Sequence, residues 1–305
     1  VLSEDRFSVL KGKNVAVVVN HTSVDYHDDH LIKLAHDEGV RIKAVFSPEH
    51  GFKGVVGAGE KVDNGFENLT GAPIYSLYGK TKKPTSEMLK GIDILIFDMQ
   101  DIGVRYYTYA STLTLVMESA AENGIPFIIL DRVNPLGHEV EGPILEMEFS
   151  SFVGMHPVPV RHGMTLGELA QMINGESWLE NGIKADLTVI AYKGTIDEKV
   201  KAHAFNTPPS PNMPNVETAW LYQGLCLLEG TSLSEGRGTD LPFKLIGAPW
   251  LDNQKLFDQL VKNKNPLDDF EITQFIPQST PATKYPKYAG EDCFGLRINN
   301  LENPI

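Results

Sequence analysis

Two short runs constrain this chain more than anything else in it: Asn14 to Asn20, rich in valine, and Ile92 to Phe97, almost entirely apolar. A strand that is apolar at every position has no face to give to water, so it belongs in a parallel sheet covered on both sides. Arg41 to Phe46, Ile74 to Leu77 and Pro126 to Leu130 read as three more strands. Helical patterns lie between them. Asp29 to Glu38 carries Leu31, Ile32, Leu34 and Ala35, and Gly39 supplies a C-terminal stop. Leu113, Val116, Met117, Ala120 and Ala121 recur at helical spacing, and Gly124 follows. Strand-helix alternation implies an α/β fold, a parallel sheet with helices on both faces.

A second segment is expected to begin between Arg132 and Arg161, dividing the chain into residues 1–145 and an α+β part, 146–305. Thr165-Leu166-Gly167-Glu168 is a capping box that opens a helix to about Asn174. Leu187 to Tyr192 reads as a strand. The run Thr207 to Pro214 holds four prolines in seven residues, which excludes a helix or central strand and leaves a rigid loop or a linker. Helices are expected from Val216 to about Leu228 and from Asp252 to Val261, with short strands near Ile272 and Phe294. The chain stops soon after that last strand, and a C-terminal part is expected to be missing.

The formal charge is −13, from 27 basic and 40 acidic residues. That field repels phosphate backbones, so nucleic acid is set aside as a partner. An anionic small substrate would need locally placed arginines. No apolar run approaches the roughly 18 residues that span a bilayer. Two cysteines, Cys226 and Cys293, make no disulfide framework and no zinc motif. Cys226 reads as a small buried hydrophobe.

In open parallel sheets ligands bind beyond the carboxyl ends of the strands. The residues that follow the five strands are polar in each case: Asn20-His21-Thr22; Ser47, Glu49 and His50; Tyr78; Asp98, Gln100, Asp101, Arg105, Tyr106 and Tyr107; Asp131, Arg132 and Asn134. No glycine-rich dinucleotide turn, P-loop or Gly-x-Ser-x-Gly elbow occurs. Carboxylates are abundant: Glu49, Asp98, Asp101, Asp131 and Glu141. Glycoside cleavage needs one acid for the leaving oxygen and a second group for the oxocarbenium side. Glu49, on a turn bounded by proline and glycine beside His50, is the candidate acid. A turn-capping or ion-paired Glu49 is the structural alternative. His21, His50, Asp98 and Asp101 could instead form a mixed metal site, whereas His27 to His30 reads as a solvated charge cluster. Arg161 and His162 precede a helix N-terminus, where anions are welcome. The loop from Glu229 to Asp240, with Glu235, Arg237 and Asp240 among its glycines, reads as a binding loop.

Several blocks together resemble one family. They are Ser47-Pro48-Glu49-His50-Gly51-Phe52, Asp98 to Tyr109, Asp131-Arg132-Val133-Asn134-Pro135, Glu141-Gly142-Pro143, Arg161 to Thr165, and Glu229 to Asp240. In this order they are similar to the signature of the NamZ-like exo-β-N-acetylmuramidases. The resemblance implies a Rossmann-like first domain, a smaller C-terminal domain and a cleft between them. It implies release of N-acetylmuramic acid from non-reducing ends of peptidoglycan fragments, in an extracytoplasmic setting; apart from the resemblance, no cofactor and no metal are expected. It makes Glu49 the leading catalytic residue, with His50, Asp98 and Asp101 beside it. Such a sugar carries a lactyl carboxylate, for which Arg105, Arg161 and Arg237 are candidates. Tyr106, Tyr107 and Tyr109 could stack on the ring, and Asn20, Glu141, His162, Glu235 and Asp240 complete the expected substrate contacts. The sugar's 2-acetamido group could act as internal nucleophile. A non-catalytic muropeptide-binding protein and a metal-dependent hydrolase are the alternatives on the same fold.

Overall fold

The computed structural model describes residues 7–57, 59–192, 205–262 and 270–299. The chain forms two compact units, Val1–Pro209 and Ser210–Ile305.

The first unit is built on a seven-stranded sheet. In chain order its elements are β1 (Asn14–Val19), α1 (Leu31–Asp37), β2 (Arg41–Ser47), β3 (Gly65–Phe66), β4 (Pro73–Ser76), β5 (Ile94–Asp98), α2 (Tyr109–Glu122), β6 (Phe127–Leu130), α3 (Leu166–Gly175) and β7 (Leu187–Ile190). The strand order is β3-β4-β2-β1-β5-β6-β7. All neighbours pair in parallel except the two-residue β3, which runs against β4. β3 is too short to leave a period in the sequence, and it escaped the sequence reading.

The two apolar runs became the two central strands. Val15, Val17, Val19, Ile94, Ile96 and Ile128 share one face and pack with Leu31, Ile32 and Ala35 of α1. The alternating residues Ala16, Val18, Leu95, Phe97, Phe127 and Ile129 are buried as well, so neither face meets water. Right-handed crossovers explain the second covering layer. The chain leaves β1 toward β2 through α1 and leaves β5 the other way through α2, which puts the two helices on opposite faces. Burying a valine or isoleucine side chain contributes about 2 kcal/mol, so these strands hold the sheet together without edge contacts.

The expected helix start at Thr165 carries a complete capping box: its hydroxyl accepts from Glu168 N, and the Glu168 side chain accepts from Thr165 N. Asp131 adds a further cap. Its Oδ1 accepts from Gly167 N at 2.8 Å and its Oδ2 from the Thr165 hydroxyl at 2.7 Å. The site candidate Asp131 thus ties the end of β6 to the start of α3.

The boundary differs from the expected one near residue 145. Leu187–Ile190 pairs with β6 in the same sheet, so everything up to Pro209 belongs to the first unit. The proline run holds this boundary and is ordered on its first-unit side. Pro208 O accepts from His21 Nε2 at 2.7 Å, and Pro209 O from the Tyr109 hydroxyl at 2.8 Å.

The second unit contains α4 (Val216–Leu225), β8 (Leu245–Ala248), α5 (Asn253–Lys262), β9 (Phe270–Phe275) and β10 (Cys293–Ile298). Its sheet is antiparallel, in the order β8-β10-β9. It is the smaller α+β part that the sequence implied. Cys226 is half-buried rather than buried, whereas Cys293 at the start of β10 is buried; both are free thiols. No helix among the described residues is long and apolar enough to cross a membrane.

Candidate active site

The sheet changes direction between β1 and β5, and a ligand crevice is expected at the carboxyl ends of strands beside such a switch. Here the gap is laced shut. Ser23 Oγ donates to Asp98 O at 2.5 Å, and Gln100 N donates to the Thr22 hydroxyl at 3.0 Å. Asn20 is fully buried; its Oδ1 accepts from the Thr22 hydroxyl at 2.6 Å, and its Nδ2 donates to the Tyr109 hydroxyl at 2.9 Å. Asn20 therefore ties the end of β1 to Thr22 and to Tyr109 at the start of α2.

One strand further along, β2 ends in the Glu49 turn. His50 and Gly51 take left-handed backbone angles in succession, φ 69° and 77°, and His50 Nδ1 donates to Val56 O at 2.7 Å. A left-handed non-glycine residue is uncommon, and here that hydrogen bond and the following glycine sustain it. The turn presents Glu49 to a ring of donors. Gly59 N reaches Oε1 at 3.0 Å and the Thr108 hydroxyl reaches Oε2 at 2.7 Å. The Tyr78 phenol, past the end of β4, also hydrogen-bonds Glu49. Burial first, and then the Glu49 charge, push the Tyr78 hydroxyl up to about 12. Glu49 itself is only 8% exposed. Tyr109 sits behind it and is fully buried; its phenol is pushed well above the usual range by burial, with Glu49 and Asp101 both adding to the shift.

The other expected carboxylates behave differently. Asp98 is held by Arg132 at two points, Nε to Oδ1 at 2.6 Å and Nη2 to Oδ2 at 3.1 Å. Asp101 accepts from Gly103 N at 2.8 Å, and burial raises its carboxyl to about 7. It lines a small cavity with Arg132, Asn134, Met164 and Thr165.

The arginines assigned to an anion are engaged inside the protein. Arg161 is 2% exposed; it bonds Glu141 at 3.0 Å, Glu139 at 2.6 Å and the Leu136 carbonyl. Arg105 donates to Pro143 O at 2.8 Å and Val158 O at 2.6 Å. Both clamp the loop from residue 136 to the strand-like stretch around residue 160. A buried guanidinium needs this many acceptors, and local sequence could not say where they lay. Glu141 is the exposed end of the Arg161 clamp. His162 is buried, accepts from Met164 N at 3.2 Å, and is lowered to about 4 by burial. Tyr107 is buried edge-on against Tyr109 at 4.8 Å, whereas Tyr106 is half-buried beside Arg105.

In the second unit Glu235 is buried between Lys287 at 3.1 Å and Arg237 at 3.5 Å, and Arg237 also pairs with Glu229 at 2.7 Å. Asp240 is exposed. The Glu229–Asp240 loop is thus fastened by its own ion pairs.

The alternative metal set of His21, His50, Asp98 and Asp101 does not converge as ligands among the described residues. Asp98 is occupied by Arg132 and His50 Nδ1 by a carbonyl. Among the described residues, Glu118, Glu122 and Glu180 are the carboxylates that converge, around Lys83. His27 and Asp28 are exposed, in line with a solvated cluster, but His30 caps α1 by accepting from Ile32 N at 3.2 Å.

Sequence reasoning missed Tyr78 and Thr108 as partners of Glu49 and Arg132 as partner of Asp98. Tyr78 directly follows a strand and Thr108 lies inside a quoted block, so their positions were visible. Their pairing was not, because Thr108 and Glu49 are 59 residues apart.

Comparison with known proteins agrees with this architecture. Residues 15–217 match the family described as exo-beta-N-acetylmuramidase NamZ, N-terminal, and residues 220–304 match its C-terminal counterpart. The chain is 44% identical over 294 residues to the peptidoglycan beta-N-acetylmuramidase NamZ of Bacillus subtilis, covering 95% of this chain and 68% of that protein. Two crystal structures of DUF1343 family proteins from Bacteroides fragilis superpose with TM-scores of 0.81 and 0.83, at 38% and 37% identity. The matches cover 99% and 98% of this chain, and 76% and 75% of those chains. The chain belongs to the exo-beta-N-acetylmuramidase NamZ family.

Proposed function

We propose that this protein is an exo-acting glycoside hydrolase that releases N-acetylmuramic acid from the non-reducing ends of peptidoglycan fragments, working outside the cytoplasm. The observation that carries the mechanism is the ring of donors around a buried glutamate, with Glu49 Oε2 at 2.7 Å from the Thr108 hydroxyl. Two of its partners, Thr108 and Tyr78, are hydroxyls, which accept as readily as they donate. The same ring can therefore hold Glu49 protonated before cleavage and ionised after it. That is what a general acid needs when it protonates the leaving glycosidic oxygen.

The second group is assigned by what the other carboxylates already do. Asp98 is paired with Arg132, Asp101 accepts from Gly103 N, Asp131 caps α3 and Glu141 pairs with Arg161. With those carboxylates so engaged, our reading takes the substrate's own 2-acetamido carbonyl oxygen as the nucleophile. It would bond to the anomeric carbon as the glycosidic bond breaks and Glu49 gives its proton to the leaving oxygen. Water, deprotonated by Glu49, would then open the resulting cyclic ion. Glu49→Gln should abolish release of N-acetylmuramic acid from a chromogenic β-glycoside without unfolding the protein, and proton NMR of the first product should show retained configuration. Full activity in that variant would remove Glu49 from the role; an inverted product would remove the acetamido route. Affinity for muropeptides without any turnover would favour a binding protein instead.

A further inference from the structure

If the substrate is an N-acetylmuramic acid glycoside, its lactyl carboxylate needs a cation near Glu49, and the arginines do not supply one. Among the described residues of the first unit the arginines are Arg41, Arg105, Arg132 and Arg161. Arg105 and Arg161 are spent on carbonyls and glutamates, and Arg132 on Asp98. Arg41 opens β2, at the opposite edge of the sheet, and bonds Asn14 at 3.1 Å.

A lysine stands where the arginines do not. Tyr78, the phenol on Glu49, packs against Phe152 at 6.1 Å between ring centres. The Lys82 ammonium also lies over Phe152, 4.2 Å from the ring centre. Lys82 is exposed, and among the described residues no carboxylate pairs with it. Its neighbour Lys83 makes the contrast: that ammonium bonds Glu118 at 2.6 Å and Glu122 at 2.7 Å. Two adjacent lysines thus have opposite fates, one neutralised and one held in place by an aromatic ring with its charge still available. A ring fixes an ammonium through its quadrupole without cancelling its charge. In a chain of net charge −13, an exposed ammonium that no described carboxylate pairs, linked to Glu49 through Phe152 and Tyr78, is an attractive point for an anion.

We propose that Lys82, seated on Phe152, forms an anion subsite that takes the carboxylate substituent of an acidic sugar bound at Glu49. This rests on the glycosidase reading above and adds to it the residue that selects an acidic sugar over a neutral one. The test uses two chromogenic β-glycosides with the same leaving group: N-acetylmuramic acid, and the same sugar with its lactyl carboxylate amidated. For Lys82→Met the ratio of kcat/KM, acid over amide, should fall about fivefold, the value of an exposed ion pair. The wild-type ratio should also fall as salt rises, and the variant's should not. Lys90→Met, an exposed lysine ahead of β5, should leave the ratio alone. An unchanged ratio in Lys82→Met overturns the subsite. Calorimetric titration with free N-acetylmuramic acid separates the two readings. If the wild type cleaves neither glycoside, the hydrolase reading fails; weaker binding to Lys82→Met still upholds the subsite, and equal binding overturns it.

Discussion

Thr108 gives its hydroxyl hydrogen to Glu49 Oε2 at 2.7 Å, from the first residue ahead of α2 to the turn beyond β2. The contact fixes the carboxyl and remains usable when the proton moves. Thr108→Val keeps the shape and removes the hydroxyl. Losing a hydrogen bond to a charged group costs about 1.5–3 kcal/mol, so kcat should drop at least about tenfold with KM little changed. Thr108→Ser should restore most of it. Steady-state kinetics on the chromogenic muramide decides the matter: an equal loss in both variants would mean that the methyl group, not the hydroxyl, is what counts.

Much of this arrangement was legible beforehand, and the limit has a physical cause. Strands apolar throughout announce burial on both faces, so β1 and β5 could be read as lying in a sheet covered on both sides. The edge that gathers Glu49, Asp98 and Asp101 followed from strand direction. What failed was the assignment of charge. Arg105 is spent on the carbonyls of Pro143 and Val158, which leave no mark on a side-chain pattern, and Arg161 on the Leu136 carbonyl and on Glu139 and Glu141, some 20 residues back in the chain. The domain boundary was misplaced because β7 comes after a long excursion, from 131 to 186, before it rejoins the sheet. Lys82 could not be separated from Lys83 by sequence, since the difference lies in which residues fold back against each.

Gly103 should tolerate no side chain. It has φ 83°, and a Cβ there would lie 2.1 Å from Asn134 Oδ1, whose amide group bonds Met164 O and Leu136 N. Gly103→Ala combines backbone strain with a clash against a fixed group, and should cost more than about 2 kcal/mol. Gly124 is the internal control: its φ is 66°, but a Cβ there meets nothing within 4 Å. Gly124→Ala should cost about 1 kcal/mol. Urea unfolding midpoints of the two variants should differ accordingly; equal midpoints would mean that the Asn134 loop gives way freely.

Arg132 holds Asp98, whose side chain is only 5% exposed. It also donates to Val24 O at 3.0 Å, tying the ends of β1, β5 and β6 together. Arg132→Met would leave a buried carboxylate without its partner, which costs about 3 kcal/mol when burial is deep. Arg132 is itself 24% exposed and water can reach part of the gap, so about 2 kcal/mol is expected. Pairing it with Asp98→Asn should recover part of that loss, because the orphaned charge is gone. A double variant no better than the single would place the cost in lost packing instead.

Asp101 and His162 make opposite demands on pH. Burial raises the Asp101 carboxyl to about 7, so from pH of about 4 upward the folded protein retains a proton that the unfolded chain has released. Its effect is that stability falls as pH rises through this window and reaches its full penalty above about 7. His162 is lowered to about 4 by burial. There the unfolded chain binds the extra proton, so stability is complete above about 6.5 and is lost as pH falls toward 4. The two trends overlap and mask each other in the wild type, and single variants separate them. Asp101→Asn should gain on the wild type as pH rises from about 4.5 to 7.5, whereas His162→Asn should gain as pH falls over the same range. Chemical unfolding at three pH values across the window reads both differences. If the Asp101→Asn curve runs parallel to the wild type, that carboxyl is not kept neutral by its surroundings, and the cavity that it lines with Asn134 and Thr165 is open enough to hydrate it.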